Sequence, residues 1–381
     1  MNDEPELLLE TRGRVGLITL NKPKALNALS MNMIELMHPQ LLAWAKDDAI
    51  DAVVIQGTGD KAFCAGGDIR DMYEQRGTDF GAVYYAAEYL LNVSIHTFPK
   101  PYIALMDGVT MGGGAGVSIH GSHRIASERT LFAMPETGIG LFPDIGASWF
   151  LSCCPGQIGM YLGLTGLRMH AADTLYAGIG DFYMESSRNE ELLAALATAG
   201  SLDEYSVNAL LKTFTSDPGV PPLAEHREEI DRCFAGDSVE AILAALENED
   251  TDWARTQLKY LAHKSPTALK LTFRQLRLGP KIESIADIMK MEYRMAHRTY
   301  RGVDLFEGIR AVVIDKDGAP QWQPDTLAAV RDADLDEYFV PAPGEPDFSQ
   351  AELSEFNRER RRCQRSDLSG WGTWAGRWWP I

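Results

Sequence analysis

The chain has 381 residues, 45% of them hydrophobic, and a formal net charge of −18. Its length and apolar content suffice for a large core and suggest two domains, or one domain with an appendage. The acidic balance argues against nucleic acid or an anionic membrane surface as a partner unless a local basic patch outweighs it.

In chain order, the acidic start MNDEPELLLE lacks the basic and apolar character of a secretory leader and the Arg-rich character of a mitochondrial one. No apolar run reaches the length of a membrane span. The expectation is a cytoplasmic protein of bacterial origin, or a matrix protein if a leader has been removed. RVGLITL (14–20) predicts a strand and NKPKALNALS (21–30) a loop; MNMIELMHPQLLAWAKD then predicts an amphipathic helix with Ser30 as N-cap. AVVIQGTG (52–59) reads as a buried strand ending in a turn, and AFCAGGDIRDMYE (62–74) as a glycine-broken loop entering a helix. Residues 101–127 read as strand, glycine-rich turn, helix and strand, and TLFAMPE adds another strand. Strand, turn and helix recur about every 45–50 residues with apolar runs, which predicts an α/β layout of sheets covered by helices.

Beyond about residue 190 the texture becomes Ala-, Leu-, Glu- and Lys-rich at helical spacing. Ser265-Pro266 marks a helix start, and residues 304–324 read as a helix turning into a loop. The expected division is a core over 1–205, a helical region over 206–340 and a tail over 341–381. The tail is expected to pack loosely; it carries RERRR (358–362) and Trp371, Trp374, Trp378 and Trp379. Five cysteines without a CxxC pair predict reduced thiols.

GTGDKA (57–62), with Asp79 further on, fits a loose dinucleotide fingerprint, but FCAGG breaks the helix that would have to open on those glycines. There is no Walker loop and no GxSxG elbow. His120 and His123 lack the companions of a metal site and read as structural or surface residues. FCAGGD (63–68) and GGGAG (112–116) each place glycines at a strand end before a helix. Two uncovered N–H groups facing one point would form an oxyanion hole; taken singly, each is a tight turn. In FAMPETGIGLFPDIG (132–146), Glu136 and Asp144 are the only charged residues in an apolar setting that raises the cost of ionisation.

AFCAGGDIRDM, the 107–152 segment DGVTMGGGAG…FPDIGASWFLS and NKPKALNALSMNM together resemble the crotonase (enoyl-CoA hydratase/isomerase) superfamily. FEGIRAVVIDKDGAPQWQP narrows the resemblance to its 3-hydroxyisobutyryl-CoA hydrolase subgroup. The resemblance covers residues 7–340. It implies a spiral of ββα turns with two roughly perpendicular sheets, a helical C-terminal region and acyl-CoA substrates. It also implies oxyanion N–H groups on Gly67 and Gly113, and a CoA channel lined by Lys24, Ala25, Ala65, Asp68 and Ile69, largely through the backbone. Hydratases place their first glutamate two positions after the triple glycine, where this chain has Gly116, which can be neither acid nor base. The second matches Glu136, and the subgroup adds Asp144.

The resemblance therefore implies thioester hydrolysis. Glu136 supplies the attack, through an anhydride or by activating a water, and Asp144 orients the substrate hydroxyl, positions water or returns a proton. Read from the residues alone, Asp144 could instead be a plain N-cap for the helix through GASWFL. An enoyl-CoA isomerase or hydratase of the same superfamily, and a non-enzymatic RNA-binding member, are the alternatives. No metal or redox cofactor is implied, CoA being part of the substrate. Lys22, Lys24, Lys61 and Arg70 are candidates for its phosphates. Superfamily members form trimers or hexamers, although a long C-terminal region could instead cover the core within one chain.

Overall fold

The computed structural model describes residues 4–353. Three consecutive strand pairs build two sheets, each pair giving one strand to each. β3 (Ala52–Gly57), β5 (Tyr102–Met106) and β7 (His123–Ala126) join β1 (Leu7–Arg12), β2 (Val15–Leu20) and β9 (Phe182–Tyr183) in a six-stranded sheet of order β1-β2-β3-β5-β7-β9. Their partners β4 (Ala62–Cys64), β6 (Val109–Met111) and β8 (Leu131–Ala133) form a second sheet of order β4-β6-β8. Only β1–β2 is antiparallel; the other pairings are parallel. Parallel strands covered on both faces need apolar runs rather than alternation. Accordingly, every residue of VGLITL and of YIALM is buried.

The helices fall largely where spacing and caps predict. α1 (Met31–Lys46) starts at Ser30, whose hydroxyl accepts from Met33 N. α2 (Ile69–Glu74) starts at Asp68, whose carboxylate accepts from Asp71 N. α4 (Gly113–Ile119) opens directly on the triple glycine, with Gly112 as N-cap at φ +47°. α3 (Phe80–His96) and β1 were not foreseen. α3 is buried along most of its length, so it reads as an apolar run without a polar face to mark a helix. After β9 the described chain contains helices and turns only, including Pro266–Leu278, capped by Ser265, and Ile285–Thr299, capped by Ser284. One apolar cluster takes in residues from Leu7 to Ala351, so these helices share the core of the sheets.

Two expectations need correction. Residues 341–353 do not pack loosely: Phe348 is buried against the rings of Tyr89 and Tyr293, and the Ser94 hydroxyl donates to Ala351 O. RERRR and the four tryptophans lie outside the described residues. Cys64, Cys154 and Cys233 are buried free thiols, but Cys153 is disulfide-bonded.

Candidate active site

The second sheet organises the site. Its three parallel strands end side by side, and each is followed within three residues by a sequence-predicted group: Gly67 after β4, Gly113 after β6 and Glu136 after β8. The carboxyl ends of parallel strands are where α/β proteins gather ligands, because the chain must turn there and its polar groups are freed from the ladder. A methyl group placed on Gly113 would lie 3.2 Å from Gly67 N, so the two glycines face each other. The Gly113 N–H is among the first of α4, where no intrahelical acceptor exists. Gly67 N donates to no backbone carbonyl among the described residues, whereas its neighbours are engaged, Asp68 N with Leu29 O and Ile69 N with Gly67 O. Both positions exclude a side chain: a Cβ on Gly67 would meet the Tyr84 hydroxyl at 2.8 Å, and one on Gly113 would meet Glu88 Oε1 at 2.5 Å.

Around these donors stand three buried carboxyl groups. Glu136 begins a short turn after Pro135, is 4% exposed, and its Oε2 has no hydrogen-bond partner. Its Oε1 lies 3.3 Å from where a Gly112 Cβ would be, placing it beside the mouth of α4. Burial, then the charge of Asp144, pushes the Glu136 pKa well above the carboxylate range, while Lys264 pulls it back. Asp144 is also buried and accepts a hydrogen bond from the Tyr89 hydroxyl at 2.8 Å. Burial raises its pKa to about 6, against the lowering effect of Tyr89. Asp144 is not a helix cap: α5 (Ala147–Phe150) begins at Gly146, without a side-chain cap from its own segment.

The third carboxyl group, Glu88, is one that sequence reasoning missed. It sits on α3, is 3% exposed, and presents an unpartnered Oε1 toward Gly113. Burial, then Asp144, then Glu136 drive its pKa well upward. The available signal was a lone charge inside the apolar AVYYAAEYLLNVSI run, the same signal that singled out Glu136. Recognising α3 as a helix would have put Glu88 and Asn92 on one face, four residues apart. Asn92 is fully buried, and a Cβ on Gly116 would meet its amide at 2.9 Å and Ile145 Cβ at 3.3 Å. The atoms nearest to where a side chain on Gly116 would start are therefore neutral.

The remaining predicted residues lie along the approach to Gly67. Lys24 and Ala25 are exposed on a short turn (Pro23–Ala25). The N–H groups of Ala25, Ala65, Asp68 and Ile69 all donate to neighbouring carbonyls. A backbone contact with CoA from these four would therefore come through their carbonyl oxygens. The Lys22 ammonium is held by Asp68 at 2.9 Å and Glu6 at 3.2 Å, which makes it a structural cation rather than a free one. Arg70 reaches Val313 O, and Lys61 is exposed. Lys264, from the segment before the helix Pro266–Leu278, brings its ammonium to 3.3 Å from where side chains on Gly138 or Gly166 would sit. Burial lowers its pKa and Glu136 raises it. No dinucleotide turn forms: β3 ends at Gly57 and β4 follows without a helix. His120 is buried, with its Nε2 2.7 Å from Ile145 O. Among the described residues no cluster of three His, Cys, Asp or Glu could hold a metal ion, and no helix is long and apolar enough to cross a membrane.

The chain is similar in sequence and in fold to several known proteins. The enoyl-CoA hydratase/isomerase family model matches residues 15–339. The 3-hydroxyisobutyryl-CoA hydrolase, mitochondrial, of Danio rerio is 45% identical over 341 residues, covering 88% of this chain and 89% of the relative. The human protein of the same name is 41% identical over 341 residues, with 88% of each covered. Among solved structures, a carnitinyl-CoA dehydratase from Mycobacterium thermoresistibile superposes with a TM-score of 0.86 at 39% identity, covering 91% of this chain and 99% of that one. An enoyl-CoA hydratase from Rhodobacter sphaeroides superposes with a TM-score of 0.82 at 38% identity, covering 88% and 98%.

Proposed function

The chain belongs to the enoyl-CoA hydratase/isomerase family, and from that premise we propose that it hydrolyses the thioester of 3-hydroxyisobutyryl-CoA to 3-hydroxyisobutyrate and CoA, a step that fits valine breakdown. The observation that carries this reading is the conjunction of buried Glu136 and Asp144 with the facing backbones of Gly67 and Gly113, and with glycine and a neutral amide where hydration needs its first acid. The names of the relatives cited above support the same substrate.

In the proposed reaction the thioester carbonyl oxygen accepts from Gly67 N–H and Gly113 N–H. These donors are fixed before negative charge develops, so they cost no reorganisation at the moment of attack. Glu136 attacks as a carboxylate or draws a proton from an attacking water; both require its ionised form, which Lys264 favours and which burial and Asp144 oppose. The tetrahedral intermediate collapses with loss of the CoA thiolate; where Glu136 is the attacking group this leaves an anhydride on its carboxylate, which water then cleaves to 3-hydroxyisobutyrate and the free Glu136 carboxylate. Asp144, held by Tyr89, orients the 3-hydroxyl or the water, and Glu88 offers a second polar contact at the acyl end. Neither step calls for a metal or redox cofactor. Lys24, exposed on its turn, is a basic group open to the CoA portion, and Lys264 acts on Glu136.

An isomerase would use Glu136 alone and leave Asp144 without a part. The relatives' names call them mitochondrial, which is consistent with the matrix option and does not support the cytoplasmic expectation. The test is release of free thiol from 3-hydroxyisobutyryl-CoA, with loss of crotonyl-CoA absorbance followed in parallel. Rapid thiol release that disappears in Glu136→Gln is expected. Consumption of crotonyl-CoA without thiol release would return the protein to the hydratases.

A further inference from the structure

Asp144 lies on an irregular arch, residues 143–148, rather than at a strand end. The arch is strained and deeply buried. Ile145, a β-branched residue, is held at φ +54° with no exposure, and Gly146 follows at φ +88°. A β-branched residue in the left-handed region persists only where its surroundings over-determine it.

Those surroundings are specific. Glu292, fully buried on the helix Ile285–Thr299, accepts from Gly146 N at 2.6 Å through one carboxyl oxygen and from Ser148 N at 2.9 Å through the other. Gln275, fully buried on the helix Pro266–Leu278, donates to Pro143 O at 2.7 Å. His120 meets Ile145 O from the third side. Glu292 thus takes up the orphan N–H groups at the start of α5, leaving the Asp144 carboxylate free to face the site.

We infer that Glu292 is a positioning residue for the reaction: with Gln275, it fixes from the helical C-terminal region the arch that carries Asp144. The inference rests on the assignment of Asp144 to the reaction, and the test separates the two. Misplacing a reacting group by about 1 Å can cost ~10²-fold in rate. Glu292→Gln keeps the volume but sets an NH2 against one of the two N–H donors. It is expected to lower kcat ~10- to 100-fold, with KM within about threefold of the unsubstituted enzyme.

The decisive measurement is a double-mutant cycle on thiol release. If Glu292 acts through Asp144, then Glu292→Gln in the Asp144→Asn background slows the enzyme no further. A loss that multiplies onto that of Asp144→Asn overturns the inference while leaving Asp144 in its role, as does a kcat within about twofold of the unsubstituted enzyme in Glu292→Gln alone. Full activity in Asp144→Asn removes that residue from the reaction, and the inference with it. Should Glu292→Gln not fold, Gln275→Met releases the other end of the arch and is expected to show the same non-additivity; multiplication there overturns the inference equally.

Discussion

The three strand-end turns of the small sheet and the arch that bears Asp144 position their groups by different means. Gly67, Gly113 and Glu136 follow directly from β4, β6 and β8, so the parallel ladder itself sets their spacing. The arch has no ladder. It is held by Tyr89 on α3, His120 at the end of α4, and Gln275 and Glu292 on helices more than 120 residues further along the chain. Groups delivered by a sheet need only a short local motif, whereas a carboxylate on irregular backbone needs supports from elsewhere in the chain.

Three substitutions, read in four measurements, sharpen that contrast. Glu136→Gln removes the group that attacks and is expected to lower kcat by ~10³-fold or more with KM little changed, as measured by thiol release. Gly113→Ala pushes a methyl group against Glu88 Oε1 and toward Gly67 N, displacing an oxyanion donor. A loss of ~10²-fold in kcat is expected, and retention of full rate would dissociate these glycines from the chemistry.

Asp144→Asn bears on the charge coupling between the two regions. Because the Asp144 charge raises the Glu136 pKa, the acid limb of the kcat/KM–pH profile of the residual activity is expected to move to lower pH. An unmoved limb would mean that Asp144 does not act on Glu136 electrostatically.

The smallest effect is on stability. With a folded pKa of about 6 against an ordinary value of 3.8, Asp144 contributes stability that is fully present below the unfolded pKa and lost as pH rises through the folded one. Asp144→Asn removes that loss. It should raise Tm by ~2–5 °C at pH 8 and by little at pH 4. An equal Tm difference at both values would show that the buried anion is not what costs stability.

Part of this was legible in the sequence because it is local. Apolar runs name the parallel strands, Ser30 and Ser265 name helix starts, and the glycine runs around positions 67 and 113 mark turns at strand ends. Glu136 stands out as a charge among apolar residues. Glu88 carries the same mark, but the more exposed face of α3 is made of Ala82, Val83, Ala86, Ala87 and Leu90 rather than polar residues, so its helical period is not visible in the residue types.

The tertiary structure decided what depends on distance. It showed that Lys22 is held by Asp68 and Glu6 while Lys264 approaches Glu136. It showed residues 341–353 closing over α3 through Phe348. It also showed that Asp144 is not a cap, because Glu292 does the capping from 146 residues beyond Gly146. Local sequence determines which groups a strand end or helix start can offer, since those follow from backbone geometry over a few residues. Which buried carboxyl groups share a site, and what sets their pKa values, is determined by burial and by charges that only the folded chain brings together.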